Sequence, residues 1–138
     1  MYIANDIDHL IVLAKLFKVH ERLPAGSLAI SRMKTHIHGL ITKQQISAYK
    51  QIVQLNIDDL ELFEKWRVGK SRNLTSGDLS TIYIALTQPQ YTLLVSDEDI
   101  FLPEVCKSCN LDFKHWEQVI EELVDERMME IYKCIKAS

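Results

Sequence analysis

The sequence predicts an α/β fold in which helices pack against a short and mainly parallel sheet. Segments with strand patterns alternate with segments of helical spacing along most of the chain, and this alternation is typical of crossover units. Residues 91–95 form a continuous apolar run of β-favouring residues, as in a strand that is buried on both faces. With 138 residues, 47% of them hydrophobic and 25% charged, the chain has the size and composition of one globular domain, spanning residues 1–138.

The first part of the chain predicts three strands. Residues 2–5 are apolar for the most part, and they lead into a segment, residues 10–16, whose apolar residues keep helical spacing. A second strand is predicted within residues 28–33. Residues 43–52 have the spacing of a helix, and the alternation in residues 53–57 then predicts a third, half-buried strand.

The second part of the chain predicts, in order, a capped helix, a polar loop, a second helix, the apolar strand and two further helices. Asp58 and Asp59 offer an N-cap for the first of these helices. The macrodipole of a helix favours an acid in its first turn, which agrees with Asp78 at the start of the second. Outside residues 91–95, these elements cover residues 60–66, 69–77, 78–87, 101–109 and 113 to the C-terminus.

The charge of the chain limits how it could bind nucleic acid. The formal net charge is −3, so the chain has no overall positive field that would attract a phosphate backbone. Contact with RNA would have to be local, and the basic run Lys65, Arg67, Lys70 and Arg72 could provide it. Such a run is more often a solvated face, which is the interpretation favoured here.

The sequence predicts a cytoplasmic protein that does not enter a membrane. No stretch reaches the about 18 consecutive apolar residues that a membrane span needs, and Asp6 and Asp8 interrupt the N-terminal apolar segment. Without a secretory signal, Cys106, Cys109 and Cys134 are expected to be reduced thiols. The spacing of the first two fits buried small residues of a helix better than a zinc or redox motif, since no second pair exists.

Acidic residues follow the predicted strands, at the edge of the sheet where ligands bind. In open α/β sheets, ligands occupy the crevice outside the carboxyl ends of the strands. If carboxylates from three chain regions converge there, their repulsion requires a cation, and oxygen ligands suit Mg²⁺ or Mn²⁺. Such a site can activate water for in-line displacement at phosphorus. The acids in question are Asp6, Asp8, Asp78, Asp97, Glu98 and Asp99.

Each of these acids also has a structural interpretation. Asp78, which follows Gly77, can be an ordinary helix cap or first-turn acid, and the acids of residues 97–99 can cap the next helix. Asp6 is harder to explain in this way, because a carboxylate at an apolar strand-to-helix junction is expected to be partly buried and compensated. Spacing alone therefore leaves a metal site and a set of structural acids as open alternatives.

Three segments match the motifs of one known family in order and spacing. Residues 6–15 match an opening motif in which an acid precedes the start of the first helix. Residues 77–86 match a central acidic helix, and residues 93–98 match a strand that ends in a hydroxyl residue and paired acids. On these residues, and over nearly its whole length, the chain resembles the PIN domains. These are metal-dependent nucleases whose best-known members are toxin ribonucleases of bacterial toxin-antitoxin pairs.

The resemblance implies a three-layer α/β/α PIN-like sandwich and a set of active-site residues. Acids would hold Mg²⁺ or Mn²⁺, and the metal would activate the water that hydrolyses an RNA phosphodiester bond. Asp97 and Glu98 are alternatives for one ligand position, and two further polar residues would orient the metal-binding acids. The implied catalytic residues are Asp6, Asp78 and Asp97, the implied metal ligands are these three and Glu98, and the orienting residues are Asp8 and Ser96.

One departure from the family pattern bears on activity. The family places a glutamate on the helix after the second strand, but residues 24–34 contain no acid. Ser31, Arg32 and Lys34 stand in that part of the chain. Loss of a carboxylate would weaken metal binding, so the chain is either an active enzyme or a diverged member that binds without cutting.

Two functions from different classes follow. The first is a Mg²⁺- or Mn²⁺-dependent endoribonuclease, the toxin of a toxin-antitoxin pair, with RNA as substrate and an antitoxin as protein partner. The second is a catalytically inactive PIN-like module that binds a protein or RNA partner, which the absent glutamate favours. The acidic amphipathic C-terminal region could pack against a basic partner or against a second copy of the chain, forming a homodimer.

Overall fold

A computed structural model describes residues 1–6, 28–37, 52–70, 72–96, 99–116, 118–119 and 126–137. Strands and helices alternate along these ranges. The strands are β1 (Tyr2–Ala4), β2 (Leu28–Ser31), β3 (Ile52–Leu55), β4 (Thr92–Val95) and β5 (Phe113–His115). The helices are α1 (Arg32–Ile37), α2 (Leu60–Arg67), α3 (Ser76–Thr87), α4 (Phe101–Ser108) and α5 (Glu126–Ala137).

The described strands form one five-stranded sheet in the order β3-β2-β1-β4-β5, and every pairing is parallel. This confirms the predicted α/β fold with a short parallel sheet, and it is consistent with a three-layer α/β/α sandwich. The strand order reverses between β1 and β4, so the crevice at their carboxyl ends is a topological switch point. Ala4 of β1 lies level with both Ile30 of β2 and Leu94 of β4, so these three strands end side by side.

The centre of the sheet is fully buried, which explains its continuous apolar sequence. Ile3 and Ala4 of β1 are inaccessible to solvent, as are Leu93, Leu94 and Val95 of β4. Strands covered on both faces show apolar runs without alternation. Helix α3 packs against β1, β2 and β4, and it therefore covers the strands that flank the switch point.

Several element boundaries lie within two residues of the sequence-based predictions. The predicted second strand, residues 28–33, begins at Leu28 but ends at Ser31, because α1 starts at Arg32. Asp59 is the N-cap of α2, and its side chain accepts a hydrogen bond from the backbone N–H of Leu62 at 3.1 Å. Helix α3 begins at Ser76, two residues earlier than predicted, because Thr75 rather than Asp78 caps it.

The prediction that the chain is helical from residue 113 onward is wrong for its first residues. Phe113–His115 forms β5, which pairs with β4 in the register Leu93 to Phe113. Three residues are too few to show an alternating pattern, and the pairing partner lies 20 positions away in the sequence. The helix predicted for residues 10–16 lies outside the described residues. The helix predicted for residues 43–52 also lies outside them, except for Ile52, which is not helical but begins β3.

Among the described residues, no helix is long and apolar enough to cross a membrane.

Candidate functional site

The switch-point crevice gathers polar side chains from three parts of the chain. Asn5 directly follows β1, Asp78 lies in the first turn of α3, and Lys34 lies on α1, just beyond β2. These three side chains are in hydrogen-bond contact with one another through the carboxylate of Asp78. We call them the crevice triad.

Asp78 is held in place by the end of its own helix. The hydroxyl of Thr75 accepts a hydrogen bond from the backbone N–H of Asp78 at 3.1 Å. In return, Oδ2 of Asp78 accepts one from the backbone N–H of Thr75 at 3.0 Å. This reciprocal capping box satisfies two N–H groups that the first helical turn leaves open. Oδ2 of Asp78 therefore stabilises the start of α3.

The other oxygen of Asp78 accepts two hydrogen bonds from the rest of the crevice triad. The Lys34 ammonium donates to Oδ1 at 2.6 Å, and Nδ2 of Asn5 donates to the same atom at 3.1 Å. The side chains of the ion pair are only 13% (Lys34) and 15% (Asp78) exposed. Since charge-assisted hydrogen bonds strengthen as water is excluded, this pair is a stronger link than an exposed salt bridge.

A buried chain of hydroxyl groups fixes the position of the lysine helix. The backbone N–H of Met33 donates to Oγ of Ser31 at 3.3 Å. The hydroxyl of Ser80 donates to the carbonyl of Gly77 at 2.6 Å, so the 2.6 Å contact between the two serine oxygens is donated by Ser31. This chain ties the start of α1 to the first turns of α3, and it thereby brings Lys34 to Asp78.

The charge state of Asp78 follows from these neighbours. Burial by itself raises the pKa of this carboxyl group. The hydrogen bond and charge of Lys34 act in the opposite direction, as do the hydrogen bonds from Thr75 and Asn5, and together they hold the pKa below its ordinary value of 3.8. Asp78 is therefore an ionised partner of the lysine at neutral pH.

Asn5 is a buried amide whose orientation is set by the acid. The residue is 6% exposed, and its side-chain nitrogen must face the carboxylate, because turning the oxygen toward Asp78 would bring two acceptors together. This orientation leaves Oδ1 of Asn5 buried, with no hydrogen-bond partner among the residues that the structure describes.

The residues proposed from the sequence are distributed unevenly over this site. Asp78 lies at its centre, whereas Asp6 and Ser96 are half-buried and follow Asn5 and β4, respectively. Asp99 caps the start of α4, where its side chain accepts hydrogen bonds from the backbone N–H groups of Phe101 and Leu102. Asp8, Asp97 and Glu98 lie outside the described residues.

Sequence reasoning missed two members of the crevice triad. The sequence predicts Asn5 at the end of a strand and gives it no role, although it directly follows β1 at the switch point. Lys34 was noted only as standing where the PIN family has a glutamate. The signal that could have drawn attention to it is a lysine three residues beyond a buried strand end, opposite a helix that begins with an acid.

The described residues do not fit a Mg²⁺ or Mn²⁺ ion at Asp78. Among them, no group of three His, Cys, Asp or Glu side chains lies close enough together to hold a metal. More directly, an ammonium group 2.6 Å from Oδ1 of Asp78 would repel a divalent cation bound to that oxygen. The donor set is that of an internal ion pair.

The basic run on and after α2 is largely paired within the chain. Lys65 lies 3.6 Å from Glu61 and Arg67 lies 2.6 Å from Glu64, one helical turn away in each case. The Lys70 ammonium stands 5.0 Å from the ring centroid of Trp66. These contacts agree with the interpretation of the run as a solvated face.

The cysteines of the α4 region, Cys106 and Cys109, are free thiols that form no disulfide with each other. Cys106 is buried, and this burial, with smaller effects of Cys109 and Asp99, raises its thiol pKa to about 12. A thiol with such a pKa is neither a nucleophile nor a ready metal ligand at neutral pH.

Fold and site together define a doubly wound parallel α/β domain with an ion pair at its switch point. Comparisons with known proteins add no relative: no family model, no curated protein and no solved structure matches the chain significantly. The resemblance to PIN domains stays a prediction from the sequence.

Proposed function

We propose that this chain is a catalytically inactive PIN-like module that acts by binding a protein partner. The observation that carries the proposal is the engagement of Asp78. Both of its oxygens accept hydrogen bonds from within the chain, and one of these donors is a lysine ammonium. An acid in this state stabilises the fold, and it is not open for a metal that would activate water.

The choice of a protein over RNA as partner rests on charge and exposed surface. The net charge is −3, and two cations of the basic run are paired with acids of the same helix. Leu60, Leu62 and Val68, on and beside α2, are 60%, 54% and 77% exposed. Exposed apolar side chains suit a protein surface better than a phosphate backbone. We place this interaction in the cytoplasm, in keeping with the expectation from the sequence.

Titration of the purified wild-type chain with Mn²⁺ tests the proposal. Calorimetry is expected to show no saturable binding, and incubation with single-stranded RNA and Mn²⁺ is expected to give no cleavage. Asp78→Asn and Asp6→Asn, checked for folding by circular dichroism, should behave in the same way. Asp58→Asn is a matched control, because it removes an exposed carboxylate away from the crevice.

Cleavage of the RNA together with Mn²⁺ binding would identify an enzyme. Saturable Mn²⁺ binding by the wild type that both Asp78→Asn and Asp6→Asn remove, but Asp58→Asn retains, would contradict the inactive-module proposal. Binding of RNA without cleavage would leave the module inactive but replace the protein partner with RNA.

A metal-dependent ribonuclease is the second candidate, and one observation favours it. β1 and β4 are neighbours whose ends lie level, so Asp6 and Ser96 follow adjacent strands beside Asp78. In this alternative, Asp6, Asp78 and Asp97 or Glu98 would hold Mg²⁺ or Mn²⁺, with Asp8 and Ser96 orienting them. The protein would be the toxin of a toxin-antitoxin pair. Growth arrest on expression, relieved by Asp6→Asn, would support it.

A further inference from the structure

We propose that the Lys34 ammonium is a built-in counter-ion that takes the place of a divalent cation at the switch-point crevice. This inference rests on the proposed inactive function, and it names the group that keeps the crevice free of metal. The Lys34 ammonium lies 2.6 Å from Oδ1 of Asp78, and its side chain is 13% exposed. The ammonium therefore neutralises Asp78 from inside the fold.

Geometry indicates that the lysine and a metal would compete for one position. A Mg²⁺ ion binds carboxylate oxygen at about 2.1 Å and needs the space around it for further oxygen ligands. The Lys34 ammonium already occupies the neighbourhood of Oδ1, at a distance typical of a strong charge-assisted hydrogen bond. Two cations on one oxygen would repel each other in a site with little water to screen them.

Asn5 provides a second and independent observation. Its buried Oδ1 has no partner among the described residues, and a buried acceptor without a donor destabilises the folded state. The nitrogen of the same amide lies 3.1 Å from Oδ1 of Asp78. A half-turn of the amide would exchange its nitrogen and oxygen, and would place two oxygen atoms about 3 Å apart, as neighbouring ligands of an octahedral Mg²⁺ or Mn²⁺ ion are.

The crevice thus retains oxygen atoms at a spacing that suits a cation, and the charge of Lys34 is what opposes one. The amide orientation and the ion pair meet at one atom, because the Lys34 ammonium and Nδ2 of Asn5 both donate to Oδ1 of Asp78. Removing the lysine charge removes the internal counter-ion but leaves Asp78 and Asn5 in place.

Calorimetric titration of Lys34→Gln with Mn²⁺ tests this inference. The variant is expected to bind Mn²⁺ at least about tenfold more tightly than the wild type, which corresponds to about 1.4 kcal/mol. Lys34→Met, whose unbranched and uncharged side chain is one heavy atom shorter than that of lysine, should also gain Mn²⁺ binding, and it replaces Lys34→Gln if that variant does not fold. Lys34→Arg retains the charge and should not bind. Lys70→Gln removes a cation outside the crevice triad, and it should also show no Mn²⁺ binding.

The outcomes separate this inference from the proposed function. Gain of Mn²⁺ binding in Lys34→Gln, abolished by a second change of Asp78→Asn, supports the built-in counter-ion. If folded Lys34→Gln and Lys34→Met bind no better than the wild type, the inference is wrong while the inactive function stands. If the wild type itself binds Mn²⁺ saturably, the proposed function is wrong, and the inference that rests on it is wrong as well.

Discussion

Replacing Asp78 by alanine is expected to lower the free energy of unfolding by about 3 kcal/mol. The change leaves the half-buried ammonium of Lys34 without its partner, and breaking a buried ion pair from one side costs about 3–5 kcal/mol. It also removes one half of the capping box with Thr75, worth about 1 kcal/mol. Both side chains keep some contact with solvent, at 13% exposed for Lys34 and 15% for Asp78, and this contact lowers the total loss to about 3 kcal/mol. Urea denaturation measures the effect.

The pH dependence of stability in a second variant, Asp78→Asn, identifies the cause of this loss. The folded-state pKa of Asp78 is held below 3.8, so its ionised form adds stability that is fully present above the unfolded-state pKa. That stability is lost as the pH falls through the lower, folded-state pKa. The difference between wild type and Asp78→Asn should therefore shrink as the pH falls below 3.8. A difference that stays constant from neutral to strongly acidic pH would contradict the ion-pair explanation, and exposed Asp58→Asn is the control.

Replacing Phe63 by alanine is expected to destabilise the domain by about 3–5 kcal/mol, which is usual for a fully buried phenylalanine. Its side chain is inaccessible to solvent, and its ring centroid lies 6.2 Å from that of Trp66 and 5.4 Å from that of Tyr83. These three rings join α2 to α3, the helix that carries Asp78.

Leu62→Ala is the matched control for this change. It shortens the neighbouring side chain on the same helix, which is 54% exposed, and should alter stability by less than about 0.5 kcal/mol. Equal losses for Phe63→Ala and Leu62→Ala in thermal or urea unfolding would show that α2 does not pack on α3 as described.

The fold was largely predictable because its signals are local. Residues 91–95 form an apolar run that only a strand buried on both faces requires, and Asp59 caps α2 through atoms three residues away. β5 could not be predicted in this way. Phe113–His115 becomes a strand only by pairing with β4, and its own three residues carry no alternation.

The candidate site was predictable only in part, because its contacts join residues that are distant in the sequence. Asp78 stands out in the sequence because an acid at a helix start is a local feature. Its partners are distant in the sequence: Lys34 is separated from Asp78 by 44 positions, and Asn5 is separated from it by 73. A sequence shows that Lys34 stands where a glutamate was expected, but the pairing of its charge with Asp78 depends on the packing of α1 against α3.

A double-mutant cycle on Lys34→Met and Asp78→Asn, measured by urea unfolding at neutral pH, tests the central claim most directly. The account predicts a coupling energy of about 1.5–3 kcal/mol between the two side chains, because a charge-assisted hydrogen bond in a half-buried crevice joins them. Effects that simply add, within about 0.5 kcal/mol, would contradict it and show that Lys34 is not the internal counter-ion of Asp78.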